Sequence, residues 1–222
     1  MKILALDTAT ERCSVALRID GATIERQIET PRGHADLILP MVRDVLSEAG
    51  VSLNQLDGLA YGRGPGGFTG VRIAIGVAQG LAFGADLPTV GVSNLAAVAQ
   101  QVAADGARIL VCMDARMQEV YWGVFGSEAL TGRVLSVGPE RVGPPAGVDV
   151  DPSDLTIAIG TGFSAYPLLA ERFDALPIHA QALPRAKEIA FIAESELEQG
   201  RGQPASHAQP VYLRDNVAVA KK

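Results

Sequence analysis

The sequence predicts an α/β protein of two lobes with similar topology, joined near residue 106 with a cleft between them. Three observations lead there. Two apolar strand-like runs, "KILALD" (2–7) and "ARILVCMDA" (107–115), each reach an aspartate, Asp7 and Asp114. Each is followed by two further strand-like runs, after which helical and strand patterns alternate. The chain has 222 residues, room for two units of roughly 100 residues.

In the first half, "CSVALRI" (13–19) and "ATIERQI" (22–28) follow the opening run, with Asp20-Gly21 as a hairpin-type turn between them. In the third run Ile24, Arg26 and Ile28 share one face, and Thr23, Glu25 and Gln27 the other. Residues 34–50 place Leu37, Met41, Val45 and Ala49 at helical spacing, with Ile38, Val42 and Leu46 as a second apolar row. Arg43, Asp44 and Glu48 are left for water, Gly50 stops the helix, and Pro40 predicts a bend or a late start. "LDGLAYG" (56–62) reads as a buried strand, and a glycine-rich turn leads into a helix from Thr69 to Phe83. "LPTVGV" (87–92) is a strand, and 93–104 a helix capped by Ser93 or Asn94.

In the second half, "EVYWGVF" (119–125) and "GRVLSV" (132–137) read as strands, followed by a Pro/Gly-rich link at 138–152. Residues 155–160 are a further strand, 162–173 a helix and 186–200 a clearly amphipathic one. The expected lobes are therefore 1–105 and a reduced 106–222, the last helix packing back toward the first lobe. The ending "VAVAKK" reads as a frayed surface segment.

Composition excludes several classes. With 48% hydrophobic and 20% charged residues the chain has the make-up of an ordinary folded protein. A net charge of −6 and a pI near 5.1 argue against gripping nucleic acid by its phosphates alone. Cys13 and Cys112 fall inside strands and read as buried small hydrophobes. The start "MKILALDTAT" lacks a signal-peptide pattern, and Arg72 and Gln79 interrupt the longest apolar run, so no membrane span and a cytoplasmic location are expected.

The stretch "YGRGPGGFTGVRIAIGVAQGLAFG" (61–84) poses the main chemical question. Gly62, Gly64 and Gly67 satisfy G-x-G-x-x-G, with Asp86 further on, but the turn follows three strands and a helix. Phe68 stands where a phosphate loop needs lysine. A tight turn for close approach of strand, loop and helix is therefore weighed against a phosphate site. The helix beyond it is apolar almost all round, with Gly76, Gly80 and Gly84 four residues apart. It reads either as a central helix buried on most sides or as one that also enters a subunit interface. His34, His179 and His207 are scattered, and no G-x-S-x-G elbow is present.

The segments "DTATERCSVAL" (7–17), "GRGPGGFTGVRIAIGVAQGLA" (62–82), "DARMQEVYWGVF" (114–125) and "PVYLRD" (210–215) resemble the TsaB, or YeaZ, family. The resemblance implies a two-lobed actin-like ATPase (ribonuclease H-like) α/β fold, each lobe a mixed sheet with flanking helices. It implies a glycoprotease-like, non-catalytic scaffold that pairs with a catalytic homologue, TsaD, and with an ATPase, TsaE. Together these threonylcarbamoylate the adenosine beside the tRNA anticodon. A homodimer is expected when the partner is absent, and contact with tRNA only indirectly.

In the catalytic relative a His-x-x-x-His pair follows "GV"; the matching positions here are Asn94 and Val98. The phosphate hairpins of active relatives need glycines where this chain has Ala115 and Arg116. Asp7, Asp114, Gly160 and Gly162 are accordingly expected to be remnants, with no metal, no cofactor and no catalytic residue. The partner surface is expected on two helices, through Leu37, Ile38, Met41, Val42, Val45, Arg72, Ile73, Gly76, Val77 and Gly80. The alternative is an ATPase or phosphotransferase acting alone through Asp7, Asp114 and Gly160.

Overall fold

Strands with apolar residues on both faces assemble two mixed sheets in the computed structural model, which describes residues 1–214; the "VAVAKK" ending lies outside the described residues. The first sheet comprises β1 (Lys2–Asp7), β2 (Arg12–Ile19), β3 (Ala22–Glu29), β4 (Gly58–Gly62) and β5 (Thr89–Val92) in the order β3-β2-β1-β4-β5. β1–β2 and β2–β3 are antiparallel, while β1–β4 and β4–β5 are parallel. Asp20 and Gly21 both have positive φ, 46° and 90°, as a two-residue hairpin turn of the I′ type requires.

The second sheet repeats the plan. β6 (Arg108–Asp114), β7 (Val120–Ser127), β8 (Val134–Ser136), β9 (Arg141–Gly143), β10 (Ile157–Ile159) and β11 (Ile178–His179) take the order β11-β10-β6-β7-β8, with β9 also on β7. β8 pairs with Phe125–Ser127 and β9 with Val120–Trp122, so the third strand is split in two. β9 falls in the segment read as a link, and β11 is a further strand that the reading did not include.

The helices are α1 (His34–Ala49), α2 (Phe68–Ala85), α3 (Asn94–Gln100), α4 (Gly162–Ala165), α5 (Pro167–Arg172) and α6 (Ala186–Glu198). α1 continues past Pro40. Pro40 and Asp36 are exposed, so the carbonyl that proline leaves without a donor faces water. Gly50, left-handed at φ 65°, ends it as expected. Ser93 caps α3 by accepting the Leu95 and Ala96 N–H groups, but α3 stops at Gln100 rather than 104. The single helix expected at 162–173 is broken because Tyr166 is extended (φ −130°, ψ 90°), the conformation a following proline favours.

Strand alternation sorts the core. Leu4 and Leu6 of β1 face α1 and α2, joining Ile38, Val42, Val45, Val71 and Ile75. Ile3 and Ala5 face the other way, onto Ala186, Ile189, Ala190 and Ala193 of α6. α3 in turn packs Leu95, Val98 and Ala99 on Ile109, Val111 and Met113 of β6. Each sheet is thus covered on one face by the helix that ends the other half of the chain. This crosswise exchange holds the two sheets together.

Candidate functional site: an interlobe cleft and an open helix face

The two aspartate-ended strands bring their following turns to a common cleft. A cavity of about 760 Å³ lies there, lined by Thr10, Glu11, Gly66, Asp114, Arg116 and Tyr121 among others. Asp114 reaches it, whereas Asp7 is wholly buried behind it. Asp7 Oδ1 accepts the Asn94 Nδ2–H at 2.6 Å, and Asn94 Oδ1 accepts the Gly64 N–H at 2.8 Å. Burial raises the Asp7 carboxyl to about 7, against the opposing pull of Asn94, the Ala9 N–H and Arg12. Asn94 therefore ties the first strand to the glycine turn, a role across 87 residues that its sequence position does not signal.

The glycines of that turn answer to packing. A Cβ at Gly62 would lie 2.1 Å from Asp7 Oδ1, one at Gly66 2.6 Å from the Ala9 carbonyl oxygen, and one at Gly70 1.9 Å from that of Thr8. The Gly67 N–H donates to the Ala9 carbonyl at 2.7 Å, and the Thr8 hydroxyl to the Gly70 carbonyl at 2.6 Å. The N-terminus of α2 is thus pressed onto the first hairpin, and these groups are committed to one another. Gly160 (φ 119°) and Gly162 likewise admit the Cys112 carbonyl, 2.3 and 2.9 Å from their would-be Cβ atoms. Val98 is buried in the core, and among the described residues no cluster of three His, Cys, Asp or Glu side chains forms a metal set.

The second hairpin is held differently. Asp114 accepts the Arg116 N–H (2.9 Å) and the Tyr166 hydroxyl (3.0 Å), and pairs with the Arg116 guanidinium at 3.0 Å. Arg116, Met117 and Gln118 are all left-handed, with φ of 59°, 53° and 60°. That conformation costs non-glycine residues about 1–2 kcal/mol each. The C-terminal segment braces this turn: Arg214 donates to Glu119 at 3.0 Å and to the Ala115 carbonyl at 3.2 Å. The same segment donates the Val211 N–H to the Arg63 carbonyl (2.8 Å) and stacks Tyr212 on Phe68 (5.7 Å). The described part of "PVYLRD", residues 210–214, is therefore a strap across both lobes, a role not read from sequence.

The two helices expected to form the partner surface divide sharply. Ile38, Val42 and Val45 are buried in their own lobe's core and present nothing to a partner, which corrects that part of the expectation. Both rows of α1 are apolar, and its rotation buries Ile38, Val42 and Leu46 of one row together with Val45 of the other. Leu37, Met41, Ile73 and Val77 are half-buried at the margin, while Arg72, Gly76 and Gly80 are exposed. α2 is not buried on most sides: only Val71, Ala74, Ile75, Ala78 and Ala82 are. By length and composition it is apolar enough to cross a membrane, with mean hydropathy 1.3, yet one side is core and Gln79 donates to the Ala208 carbonyl at 2.9 Å.

The open side bears Phe68, Arg72, Gly76, Gly80 and Phe83. Phe68 is 57% and Phe83 84% exposed, and the Arg72 guanidinium lies 3.3 Å over the Phe68 ring. Both aromatics were missed, although their spacing of four, four, four and three from Phe68 through Phe83 marks one helical stripe.

Comparison with known proteins accords with this architecture. Residues 25–222 match the family model TsaD, tRNA N6-adenosine threonylcarbamoyltransferase. The chain is 45% identical to the tRNA threonylcarbamoyladenosine biosynthesis protein TsaB of Escherichia coli (strain K12), covering 100% of this chain and 98% of that protein. It is 38% identical to TsaB of Haemophilus influenzae, covering 100% and 97%. A crystal structure of YeaZ from Pseudomonas aeruginosa superposes with a TM-score of 0.86 at 44% identity, covering 96% of this chain and 99% of that one. A second structure, described as similar to peptidase YeaZ from Pseudomonas aeruginosa, gives 0.87 at 45% identity over the same shares. The repeated sheet order and these likenesses give the chain the mixed α/β fold of the YeaZ structures, as a member of the TsaB (YeaZ) family.

Proposed function

We propose that the chain is the non-catalytic subunit of the machinery that makes threonylcarbamoyladenosine in tRNA. It seats a TsaD-like catalytic homologue on the face formed by α1 and α2, and a TsaE-like ATPase joins the pair. In the partner's absence the same face joins two copies, and tRNA is engaged through the partner. The names of the relatives support the pathway. The observation that carries the mechanism is the glycine strip of α2. A Cβ at Gly76, Gly80 or Gly84 meets no atom within 4 Å, while the glycines at the helix start are pressed against neighbouring backbone. A smooth apolar strip on an exposed helix invites a second helix to approach at backbone distance.

The test is light scattering of the chain mixed with its catalytic homologue. A defined complex is expected with the native chain and a weakened one with Gly76→Leu. Full-strength complexes and unchanged self-association with Gly76→Leu would remove the interface reading. A second reading, ATP chemistry by this chain alone, is favoured by the cleft's volume of about 760 Å³ and by Asp114 and Arg116 in its lining. Calorimetry with ATP and Mg²⁺ decides it: saturable binding near one per chain would make Asp114 and Asp7 the first residues to replace.

A further inference from the structure

We propose that a second cavity, away from the cleft, binds a small zwitterion of the α-amino acid class, with Arg63 holding its carboxylate and Glu140 its ammonium group. The cavity measures about 410 Å³ and shares no lining residue with the cleft. It lies between β5, β8, the end of α6 and residues 201–207, and it is within the size range of small-molecule sites.

Its lining is unusually polar for a junction between packed elements. Tyr61, Thr89 and Ser93 are buried there, and Arg63 and Glu140 are partly buried. Arg63 is fixed at its backbone, donating to the Val92 carbonyl (2.9 Å) and accepting from Val211 (2.8 Å). Its side chain is not satisfied: Nε is buried without a partner, and among the described residues the guanidinium forms no ion pair. Leaving that one N–H donor dry and unpaired is costly, and the fork beside it offers further donors to a ligand.

Glu140 supplies the opposite charge. Its carboxylate accepts the Ser93 hydroxyl, leaving further acceptor capacity toward the cavity. The Tyr61 hydroxyl accepts the Gln209 N–H at 3.2 Å, which leaves its own proton to donate. The other charges in the lining, Arg201 and Glu196, pair with each other at 2.6 Å. A cation and an anion therefore face one space without closing on each other. A simple anion would satisfy Arg63 but meet Glu140, and a simple cation would do the reverse. A molecule carrying both charges satisfies both walls.

The experiment is calorimetry, with amide chemical-shift mapping, of the full chain against glycine, L-threonine, acetate and inorganic phosphate. Saturable amino-acid binding is expected, with shifts centred on β5 and Ser93, and weakened about tenfold or more in both Arg63→Gln and Glu140→Gln. Arg63→Lys, which keeps the charge and loses the fork, should fall between. If acetate or phosphate binds the native chain as tightly as glycine, the zwitterion reading is overturned in favour of a plain anion site. If no probe gives saturable binding to the native chain, the site itself is overturned.

Discussion

Replacing Gly76 separates the two roles a helical glycine can have. Because a Cβ there meets nothing within 4 Å, Gly76→Ala brings no clash to the isolated chain. It removes a mid-helix glycine, which alanine betters by about 0.8–1.0 kcal/mol. In a chain of this length 1 kcal/mol moves Tm by about 2–4 °C, so a rise of that size is expected. Gly80→Ala sits in the same open strip and should add a similar amount. Gly76→Leu should also fold, but it sets an isobutyl group on the strip where a partner helix would make backbone contact. Forced overpacking of this kind costs about 1–3 kcal/mol, a loss of about 5- to 150-fold in affinity. Scanning fluorimetry of the free chain, across protein concentration, gives the first quantity and calorimetry with the catalytic homologue the second. A lower Tm for Gly76→Ala at the lowest concentrations would show that the strip is covered within one chain, and the reasoning would be wrong.

The crowded glycines of the turn should behave in the opposite sense: Gly62→Ala drives a methyl to 2.1 Å from Asp7 Oδ1, and a loss of about 3 kcal/mol or more is expected in urea unfolding. Asp7 holds its proton more tightly folded, near 7, than unfolded, near 3.8. Its contribution to stability is thus present below about pH 4 and lost as pH rises toward about 7. Asp7→Asn, which keeps an acceptor for Asn94, should flatten that decline by on the order of a few kcal/mol, and parallel pH curves for the two proteins would contradict it. Arg214→Ala releases Glu119 and the Ala115 carbonyl, so amide exchange should quicken at Arg116–Glu119 while β1 is unchanged; uniform exchange would refute the brace. Burial raises both thiols, Cys13 to about 11 and Cys112 further, so labelling by an aromatic disulfide at mildly alkaline pH should report unfolding alone. Prompt reaction of either thiol in the native chain would count against that.

Much of the fold could be read in the sequence because its signals are local. The Ile3/Leu4/Ala5/Leu6 run, the Asp20-Gly21 turn and the Gly50 stop each depend on near neighbours, and each sits where the spacing puts it. β9 and β11 escaped because three and two residues carry no period. The partner face could be read only halfway. Apolar spacing marked both rows of α1 but left open how its own sheet would divide them: Ile38, Val42 and Leu46 of one row and Val45 of the other went inward. Asn94 and the strap were illegible for another reason: their partners are remote. Tyr61 and Gln209 meet across 148 residues, and no window of sequence holds both.

The glycine turn and the open helix face belong to one mechanical unit. The turn whose spacing matches a phosphate-binding pattern ends in Gly66, Gly67 and Gly70, all held against Thr8 and Ala9 of the first hairpin. Those contacts fix where α2 starts, while Val71, Ala74, Ile75 and Ala78 fix its rotation on the sheet. Once start and rotation are set, the side that carries Arg72, Gly76 and Gly80 has no freedom left to turn inward. Asn94 completes the frame by binding Gly64 and Asp7 together from behind. Residues that resemble a nucleotide site in sequence thus act as a splint for the helix proposed to meet the partner. A change at Thr8 or Asn94 would reach that surface without touching it.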